Sequence, residues 1–286
     1  MAIDPEKLLN WPFPEVVQSY SKRDTILYAL GLGLSMDPMD EDQLRFTYED
    51  GLAALPSMAV VLATPGFWVK DPESGVDWVK VLHGEQGLEI HKPLPPEATV
   101  AATTKVTDII DKGADRGALL LQERTVVDQA TGEKLATLTS TTFARGDGGF
   151  GGSSEGGRPV HRLPEREPDS VCDLPTLPQA ALIYRLSGDY NPLHADPKVA
   201  QAAGFKAPIL HGLCTLGVAA HAILKVQCGY DPARFRSLAL RFSAPVYPGE
   251  TIRTEMWRED GVVSFRARVV ERDVVVLNNG RAEVAG

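Results

Sequence analysis

Apolar and polar positions follow the same order of patterns in the two halves of the chain. A polar-capped helical stretch comes first in each half, at about 20–34 and 178–187. A run rich in Ala, Val and Leu follows at about 55–64 and 212–227, and we expect both runs to form apolar helices. Strand-like runs then come at 79–92, 98–110, 117–127 and 134–144 in the first half, and at 236–243, 250–258, 262–271 and 273–278 in the second. This order predicts an α+β unit, present twice, in which an antiparallel sheet wraps a central helix.

Two ungapped matches between the halves indicate an internal duplication. Residues 88–100 align with residues 240–252 at an offset of 152, and two prolines, a threonine and the apolar alternation coincide. A second match, at an offset of 156, sets Tyr28 against Tyr184. Ordered matches of this kind predict two fused copies of one fold. Their sheets can join edge to edge, which also covers exposed strand edges.

The segment between the halves, 146–169, is dense in glycine, serine, proline and charged residues, as an inter-unit linker is. We therefore divide the chain into an N-terminal unit at 1–146, a linker at 147–170 and a C-terminal unit at 171–286.

Composition excludes several classes of protein. The chain has 286 residues, 43% of them hydrophobic and 23% charged, which is typical of a globular protein with a sizeable core. Its net charge of -9 argues against a nucleic-acid binder, and an anionic ligand would have to be held by a few local basic groups. No apolar run approaches the roughly 18 residues that a membrane span requires.

The three cysteines and the two ends of the sequence bear on the cellular compartment of the protein. Three irregularly spaced cysteines are too few for a disulfide framework or a metal site, so we expect a reducing compartment. The first residues lack the pattern of a signal peptide, and the last four, EVAG, are not a peroxisomal address. We expect a cytoplasmic protein, and a peroxisomal one is not excluded.

The densest polar cluster lies just before the second apolar helix, in the segment SGDYNPLHADP. Gly188 and the pair Asn191-Pro192 predict an irregular loop, which can turn Asp189 and His194 toward one point. A carboxylate and an imidazole that share a water are suitable acid–base partners. Further on, Gly212 is predicted to lie at the N-terminus of the apolar helix, where free N–H groups favour an oxyanion.

These segments carry a resemblance to a known family. SGDYNPLHADPKVAQAAGF and APILHGLCT closely resemble the signature of the MaoC-like, (R)-specific enoyl-CoA hydratases. In the first half, VLHGEQGLEIHKPLPP, DIIDKG and FARGDGGFGG are similar to the two-hot-dog type, hydratase 2. The resemblance covers nearly the whole chain. It implies a double hot-dog fold with the active site in the C-terminal unit.

The resemblance also implies roles for individual residues. Asp189 and His194 would form the catalytic dyad, Asn191 would support it, and the Gly212 N–H would bind the thioester oxygen. Positions that contact the acyl-CoA would be His83, Gly84, Lys112, Tyr190 and Phe242. No metal or cofactor is implied, since coenzyme A is part of the substrate. An acyl-CoA thioester is the expected ligand, and a further homodimer is compatible with the sequence.

The implied reaction is the reversible syn hydration of a trans-2-enoyl-CoA to a (3R)-3-hydroxyacyl-CoA, which would make the protein a hydro-lyase. Two alternatives are a biosynthetic 3-hydroxyacyl-thioester dehydratase, acting on CoA or carrier-bound substrates, and a non-catalytic acyl-CoA-binding subunit. The duplication sets Gly33 in the position of Asp189, and Pro38 stands where a histidine would follow. We therefore expect one site per chain, with the first half shaping the acyl pocket.

Simpler structural roles compete at several positions. Asp189 alone could order a turn, and His194 alone could be a structural histidine. His211 is expected to shape the turn before Gly212, and Cys214 to be a small core residue. Without the resemblance, Lys112 would be interpreted as a solvated loop charge. Asp196 is expected to cap the next short helix and is left outside the site.

Overall fold

Ten strands form one continuous antiparallel sheet in the computed structural model, which describes residues 3–286. The first half contributes β1 (Val16–Tyr20), β2 (Val81–Ile90), β3 (Ala98–Asp111), β4 (Ala118–Asp128) and β5 (Lys134–Ala144). The second half contributes β6 (Ser170–Pro175), β7 (Phe235–Phe242), β8 (Thr251–Glu259), β9 (Val262–Val269) and β10 (Val274–Val284). The strand order is β1-β3-β4-β5-β2-β7-β10-β9-β8-β6. It is symmetric about the β2–β7 pair.

The β2–β7 seam joins the two half-sheets edge to edge, as the duplication predicts. Gly87 lies directly opposite Ala239, and these are the two residues that the offset of 152 relates. A Cβ on Gly87 would come within 2.5 Å of the Thr139 hydroxyl, so only glycine fits there without a shift. Two residues further along the seam, the Arg241 guanidinium donates to the Glu85 carboxylate at 2.5 Å. An ion pair and the backbone pairing of β2 with β7 therefore connect the halves at the pseudo-twofold axis.

The described part of the chain also contains six α-helices. They are α1 (Pro5–Leu9), α2 (Lys22–Gly31), α3 (Glu41–Leu44), α4 (Ala180–Tyr184), α5 (Pro197–Ala202) and α6 (Gly212–Cys228). None of the helices within residues 3–286 is both long and apolar enough to cross a bilayer. Tyr28 on α2 and Tyr184 on α4, which the repeat relates, pack together with ring centroids 5.7 Å apart. The repeat axis therefore also passes between these two helices.

The central helix α6 forms over 17 residues rich in Leu, Val and Ala, most of them buried. It ends at Gly229, whose left-handed φ of 59° is readily adopted by glycine. Leu32 of the first half packs closely against Gly217 on α6. A Cβ on Gly217 would lie 2.5 Å from the Leu32 side chain. The first half thus packs tightly against the helix that supports the candidate site.

The predicted α-helix over 55–64 is wrong. Residues Pro56–Val61 form a 3₁₀ helix instead. Ala63 has a positive φ of 45° and donates its N–H to the Gln18 side chain, and Pro65 disfavours helical geometry in the residue before it. The short strands β1 and β6, which pair with β3 and β8, were not predicted. The eight longer strands lie close to their predicted positions.

Residues 145–169 contain no helix or strand. The start of this segment is nevertheless well anchored, because the Asp147 side chain is buried and accepts the N–H of Asp77 at 3.1 Å. It therefore packs against the first half before it crosses to β6.

Candidate active site

The loop that follows α4 holds the predicted dyad. Gly188 has a φ of 121°, which lets the chain turn sharply into Asp189. The Asp189 carboxylate accepts the N–H of Asn191 at 3.1 Å, and the Asn191 side chain accepts the N–H of Leu193 at 3.0 Å. Two successive side-chain turns therefore build the loop. In this structure the Asn191 side chain orders the backbone between Asp189 and His194.

His194 ends a 3₁₀ turn, Pro192–His194, and its ring is buried. Its Nδ1 lies 2.8 Å from the carbonyl oxygen of Ile209. Because a carbonyl only accepts, Nδ1 carries the proton and Nε2 of the neutral ring is left as an acceptor. Burial lowers the pKa of His194, while the bond to Ile209 and the Asp189 charge oppose this shift. The ring is therefore a neutral base at neutral pH.

His211 contacts both members of the dyad. Its Nε2 lies 3.2 Å from the backbone carbonyl of Asp189, to which it can only donate. Its ring stacks on the ring of His194, with centroids 3.7 Å apart. Burial and the adjacent His194 lower the pKa of His211 below its ordinary value, so it is neutral beside the dyad. From the sequence, His211 was expected to shape the turn before Gly212, and nothing in the sequence indicates that its ring stacks on His194.

The polar atoms of this trio come close to one another. One side-chain atom each from Asp189, His194 and His211 lies within 4.8 Å of the other two. Because the two imidazole rings are stacked, the nitrogen lone pairs in their planes point in nearly parallel planes. A tetrahedrally coordinated metal ion needs ligand lone pairs that converge on one point. The arrangement therefore suits acid–base chemistry on a shared water better than it suits a metal ion.

The N-terminus of α6 faces the same region. The N–H groups of Cys214 and Thr215 both donate to the carbonyl of His211 at 3.1 Å. Among the described residues no acceptor bonds the N–H of Gly212 or Leu213, and Gly212 is exposed. These two N–H groups and the helix dipole can stabilise a negative oxygen.

Several predicted substrate contacts meet beside Gly212. A Cβ on Gly212 would lie 3.2 Å from the ring of Phe242, and that ring packs against His83 with centroids 4.7 Å apart. Gly84 occupies a β-bulge between His83 and Glu85. Tyr190 is exposed beside Asp189, with the Arg185 guanidinium 4.9 Å from the centre of its ring. The first half thus contributes to the surroundings of the dyad.

Lys112 lies apart from this cluster, at a cavity of about 330 Å³. The cavity is lined by Lys112, Asp115, Arg116, Phe143 and Arg145. Phe143 pairs with Leu82, the residue before His83, so the cavity lies beside the strand that reaches the dyad. Of these residues, only Lys112 was predicted to contact the ligand. Its missed partners, Arg116 and Arg145, are surface charges on two different loops.

Two residues have the structural roles that the sequence predicts. Cys214 is fully buried, and burial raises the pKa of its thiol, which argues against a nucleophile. The Asp196 carboxylate accepts the N–H of Lys198 at 2.8 Å and caps α5.

Comparison with known proteins decides the family. Residues 18–146 match the profile of the MFE-2 hydratase 2 N-terminal domain, and residues 160–280 match that of the MaoC like domain. The chain belongs to the MaoC-like hydratase 2 family. Its predicted membership is therefore confirmed, together with its class as a hydro-lyase.

Relatives of this hydratase 2 family member are similar over the full length. A peroxisomal enoyl-CoA hydratase 2 from Arabidopsis thaliana is 40% identical, over 94% of this chain and 92% of the relative. A 3-hydroxyacyl-thioester dehydratase Y from Mycobacterium tuberculosis is 41% identical over all of both chains. The crystal structure of a MaoC-like dehydratase from Phytophthora capsici superposes with a TM-score of 0.86, at 40% identity and 98% coverage of each chain.

A more distant structure bears on the fold alone. A Mycobacterium tuberculosis protein described as a double hotdog fold superposes with a TM-score of 0.57 at 17% identity, over 96% of this chain and 94% of that one. Together with the ten-stranded sheet, this confirms the predicted double hot-dog fold.

Proposed function

We propose that this protein catalyses the reversible syn addition of water to a trans-2-enoyl-CoA, giving a (3R)-3-hydroxyacyl-CoA. The observation that carries the proposal is the approach of the Asp189 carboxylate and the His194 ring, polar atoms within 4.8 Å, beside the free N–H groups that begin α6. Family membership supports the reaction class, and the geometry supports the roles of the residues.

The dyad presents two acceptors to a water. Nε2 of His194 accepts, because Nδ1 already donates to Ile209, and the Asp189 carboxylate accepts as well. A water that donates to both directs a lone pair of its oxygen toward the β-carbon. As the new C–O bond forms and the double bond breaks, the dyad takes one proton from the water and passes it to the α-carbon. Both additions occur on the face that the dyad covers, which gives syn stereochemistry.

The electron pair of the broken double bond moves toward the thioester carbonyl. There the Gly212 and Leu213 N–H groups stabilise the negative charge that develops on the oxygen. These donors are held by the helix before the reaction begins, so little reorganisation is needed. Dehydration uses the same groups in reverse, so the proposal also covers a 3-hydroxyacyl-thioester dehydratase.

The basic cavity is proposed to hold the phosphates of coenzyme A. Three cationic side chains and one carboxylate line it in a chain whose net charge is -9. Local positive charge of this kind stabilises bound phosphate groups. Phe143, next to the strand residue that pairs with His83, connects this cavity to the surroundings of the dyad.

Removing a cavity charge should weaken binding without changing the chemistry. We expect Lys112→Met to raise the KM for crotonyl-CoA by roughly three- to tenfold with kcat unchanged, because a charge-assisted contact contributes about 1 kcal/mol or more. Steady-state kinetics measures both constants. Lys105→Met is the matched control, since Lys105 lies earlier on β3 and pairs with Glu123 at 2.9 Å. Equal effects of the two variants would contradict the phosphate role.

The pKa of His194 should reflect both its burial and the nearby charge of Asp189. Because burial lowers the pKa of His194, its protonation midpoint is expected below the ordinary 6.5. The Asp189 charge raises that pKa, so Asp189→Asn should move the midpoint further down. NMR of the ring protons across pH measures both values. A midpoint above 6.5 would show that burial does not dominate the pKa of His194. An unchanged or raised midpoint in the variant would show that the Asp189 charge does not act on the ring.

The reaction itself is tested with crotonyl-CoA. We expect loss of the conjugated enoyl absorbance on adding the protein, and chiral analysis should assign (3R)-3-hydroxybutyryl-CoA as the product. A (3S) product would refute the geometry, and binding without turnover would favour the non-catalytic alternative.

Location in the cytoplasm and homodimer formation stay predictions, and the Arabidopsis relative is named peroxisomal.

A further inference from the structure

A buried carboxylate, Asp111, connects the two loops that carry the cations of the basic cavity. It ends β3, directly before Lys112, and its side chain is largely buried. One of its oxygens accepts the N–H of Gly113 at 2.8 Å and that of Gly149 at 2.7 Å, and the other accepts the N–H of Gly151 at 2.8 Å. Gly113 belongs to the β3–β4 loop, and Gly149 and Gly151 to the loop after β5. One carboxylate therefore holds both loops.

The packing of these loops leaves no space between them. A Cβ on Gly148 would lie 2.2 Å from the carbonyl oxygen of Gly113, and one on Gly117 would lie 2.4 Å from that of Ala144. Lys112 itself is anchored, with its ammonium group 3.1 Å from the carbonyl of Ser154. The positions of Lys112, Arg116 and Arg145 are thus fixed by backbone contacts between two loops that meet at Asp111.

The bonding of Asp111 differs from that of an ion pair. Among the described residues no cationic side chain forms a salt bridge with it, and backbone N–H groups satisfy it instead. The N–H groups of Gly149 and Gly113 hold the pKa of the Asp111 carboxyl below its usual range. The glycine-rich loop FARGDGGFGG therefore directs two of its N–H groups at a carboxylate of the protein, in the way that such loops elsewhere bind a phosphate.

We propose that Asp111 is a positioning residue that fixes the cations of this cavity for the nucleotide phosphates of coenzyme A, and so favours CoA thioesters over thioesters without a nucleotide. The proposal rests on the proposed function and adds to it the basis of substrate selection. Asp111 carries a negative charge close to the cavity. If it acted by charge alone, its removal would strengthen phosphate binding. If it positions the loops, its removal weakens binding, so the two roles predict opposite signs.

The test compares crotonyl-CoA with crotonyl-pantetheine, which has the same reacting group and no phosphates. Asp111→Asn should raise the KM for crotonyl-CoA about tenfold with kcat unchanged, because buried N–H groups lose an acceptor and the loops relax. The KM for crotonyl-pantetheine should stay the same. Gly148→Ala, which forces the loops apart without changing charge, should have the same selective effect and serves if the Asp111 variant is unstable.

Asp128→Asn is the matched control. Asp128 orders the turn at the other end of β4, where its carboxylate accepts the N–H groups of Ala130 and Thr131 at 2.9 Å. It lies ten residues along the strand from Ala118, the pairing partner of Asp111. This variant should leave the KM for both thioesters unchanged. A selective rise in KM for crotonyl-CoA in this control would overturn the positioning role of Asp111.

Calorimetry with adenosine 3′,5′-bisphosphate provides a readout that does not depend on turnover. The wild-type protein should bind this nucleotide, and Asp111→Asn should bind it about tenfold more weakly. Equal or tighter binding by the variant would overturn the proposal. If the wild-type protein binds the nucleotide about tenfold more tightly than Asp111→Asn but hydrates neither thioester, the proposed function is refuted and the role of Asp111 remains supported.

Discussion

His194→Ala should reduce kcat for hydration of crotonyl-CoA by about 10²–10⁴-fold, with a small change in KM. Nε2 of this ring is the neutral acceptor that holds the water, and alanine supplies no substitute for it. Asp189→Asn should reduce kcat to a similar extent, because the amide keeps the shape of the side chain but loses the negative charge. Stopped or continuous assays of enoyl absorbance measure both losses.

A loss of activity must be separated from a loss of structure. Asp196→Asn is a suitable control, because Asp196 lies two residues beyond His194 and only caps α5. This variant should keep nearly full activity, with at most a modest loss of thermal stability. All three variants should bind crotonyl-CoA. Near-normal turnover by His194→Ala or Asp189→Asn would show that the dyad does not act on the water.

Gly212→Pro should lower kcat by about 10²–10³-fold, because it removes one N–H donor from the proposed oxyanion site. The backbone is compatible with proline there. Gly212 is the first residue of α6, where proline is readily accommodated, and His211 before it is already extended at φ -58° and ψ 137°. Kinetics with crotonyl-CoA and a circular-dichroism melt would measure the effect and check the fold.

Gly212→Ala is the matched variant for the steric contribution. It keeps the N–H and adds a Cβ 3.2 Å from the ring of Phe242, which must shift by a few tenths of an ångström. We expect a loss of about tenfold or less, clearly smaller than for proline, since a displaced ring costs on the order of 1 kcal/mol. Equal losses in the two variants would assign the effect to crowding and would count against the oxyanion role.

The architecture could be predicted from the sequence because the duplicated halves still align at a nearly constant offset. The offset of 152 between residues 88–100 and 240–252 corresponds to the pseudo-twofold axis, at which Gly87 faces Ala239. Alternating apolar residues located the eight long strands, whose buried faces impose that period. The short edge strands β1 and β6 were missed, because five or six residues with one partner strand carry little periodic signal.

The predicted helix over 55–64 shows where the local apolar pattern does not determine the type of helix. Residues 55–64 are as apolar as the start of α6, so burial was predicted correctly, but Pro65 and the left-handed Ala63 prevent a continuing helix. Its counterpart α6 has no proline over 17 residues. The same hydrophobicity therefore gives a 3₁₀ helix in one half and a long α-helix in the other.

The residues of the candidate site that were predicted are those that lie close together in the sequence. Asp189, His194 and Gly212 are close in sequence, and loop residues between them indicate a turn. The carbonyl of Ile209, which sets the tautomer of His194, carries no sequence signal, because every residue has a carbonyl. The contact between His83 and Phe242, and the cavity with Arg116 and Arg145, depend on strand pairing between distant segments.

A crystal structure of the Asp189→Asn variant with bound crotonyl-CoA would test the central claim most directly. We expect the thioester oxygen about 3 Å from the Gly212 nitrogen, the β-carbon facing Asn at position 189 and the His194 ring, and the phosphates in the cavity beside Lys112. A thioester bound away from the start of α6, with its double bond out of reach of His194, would contradict it.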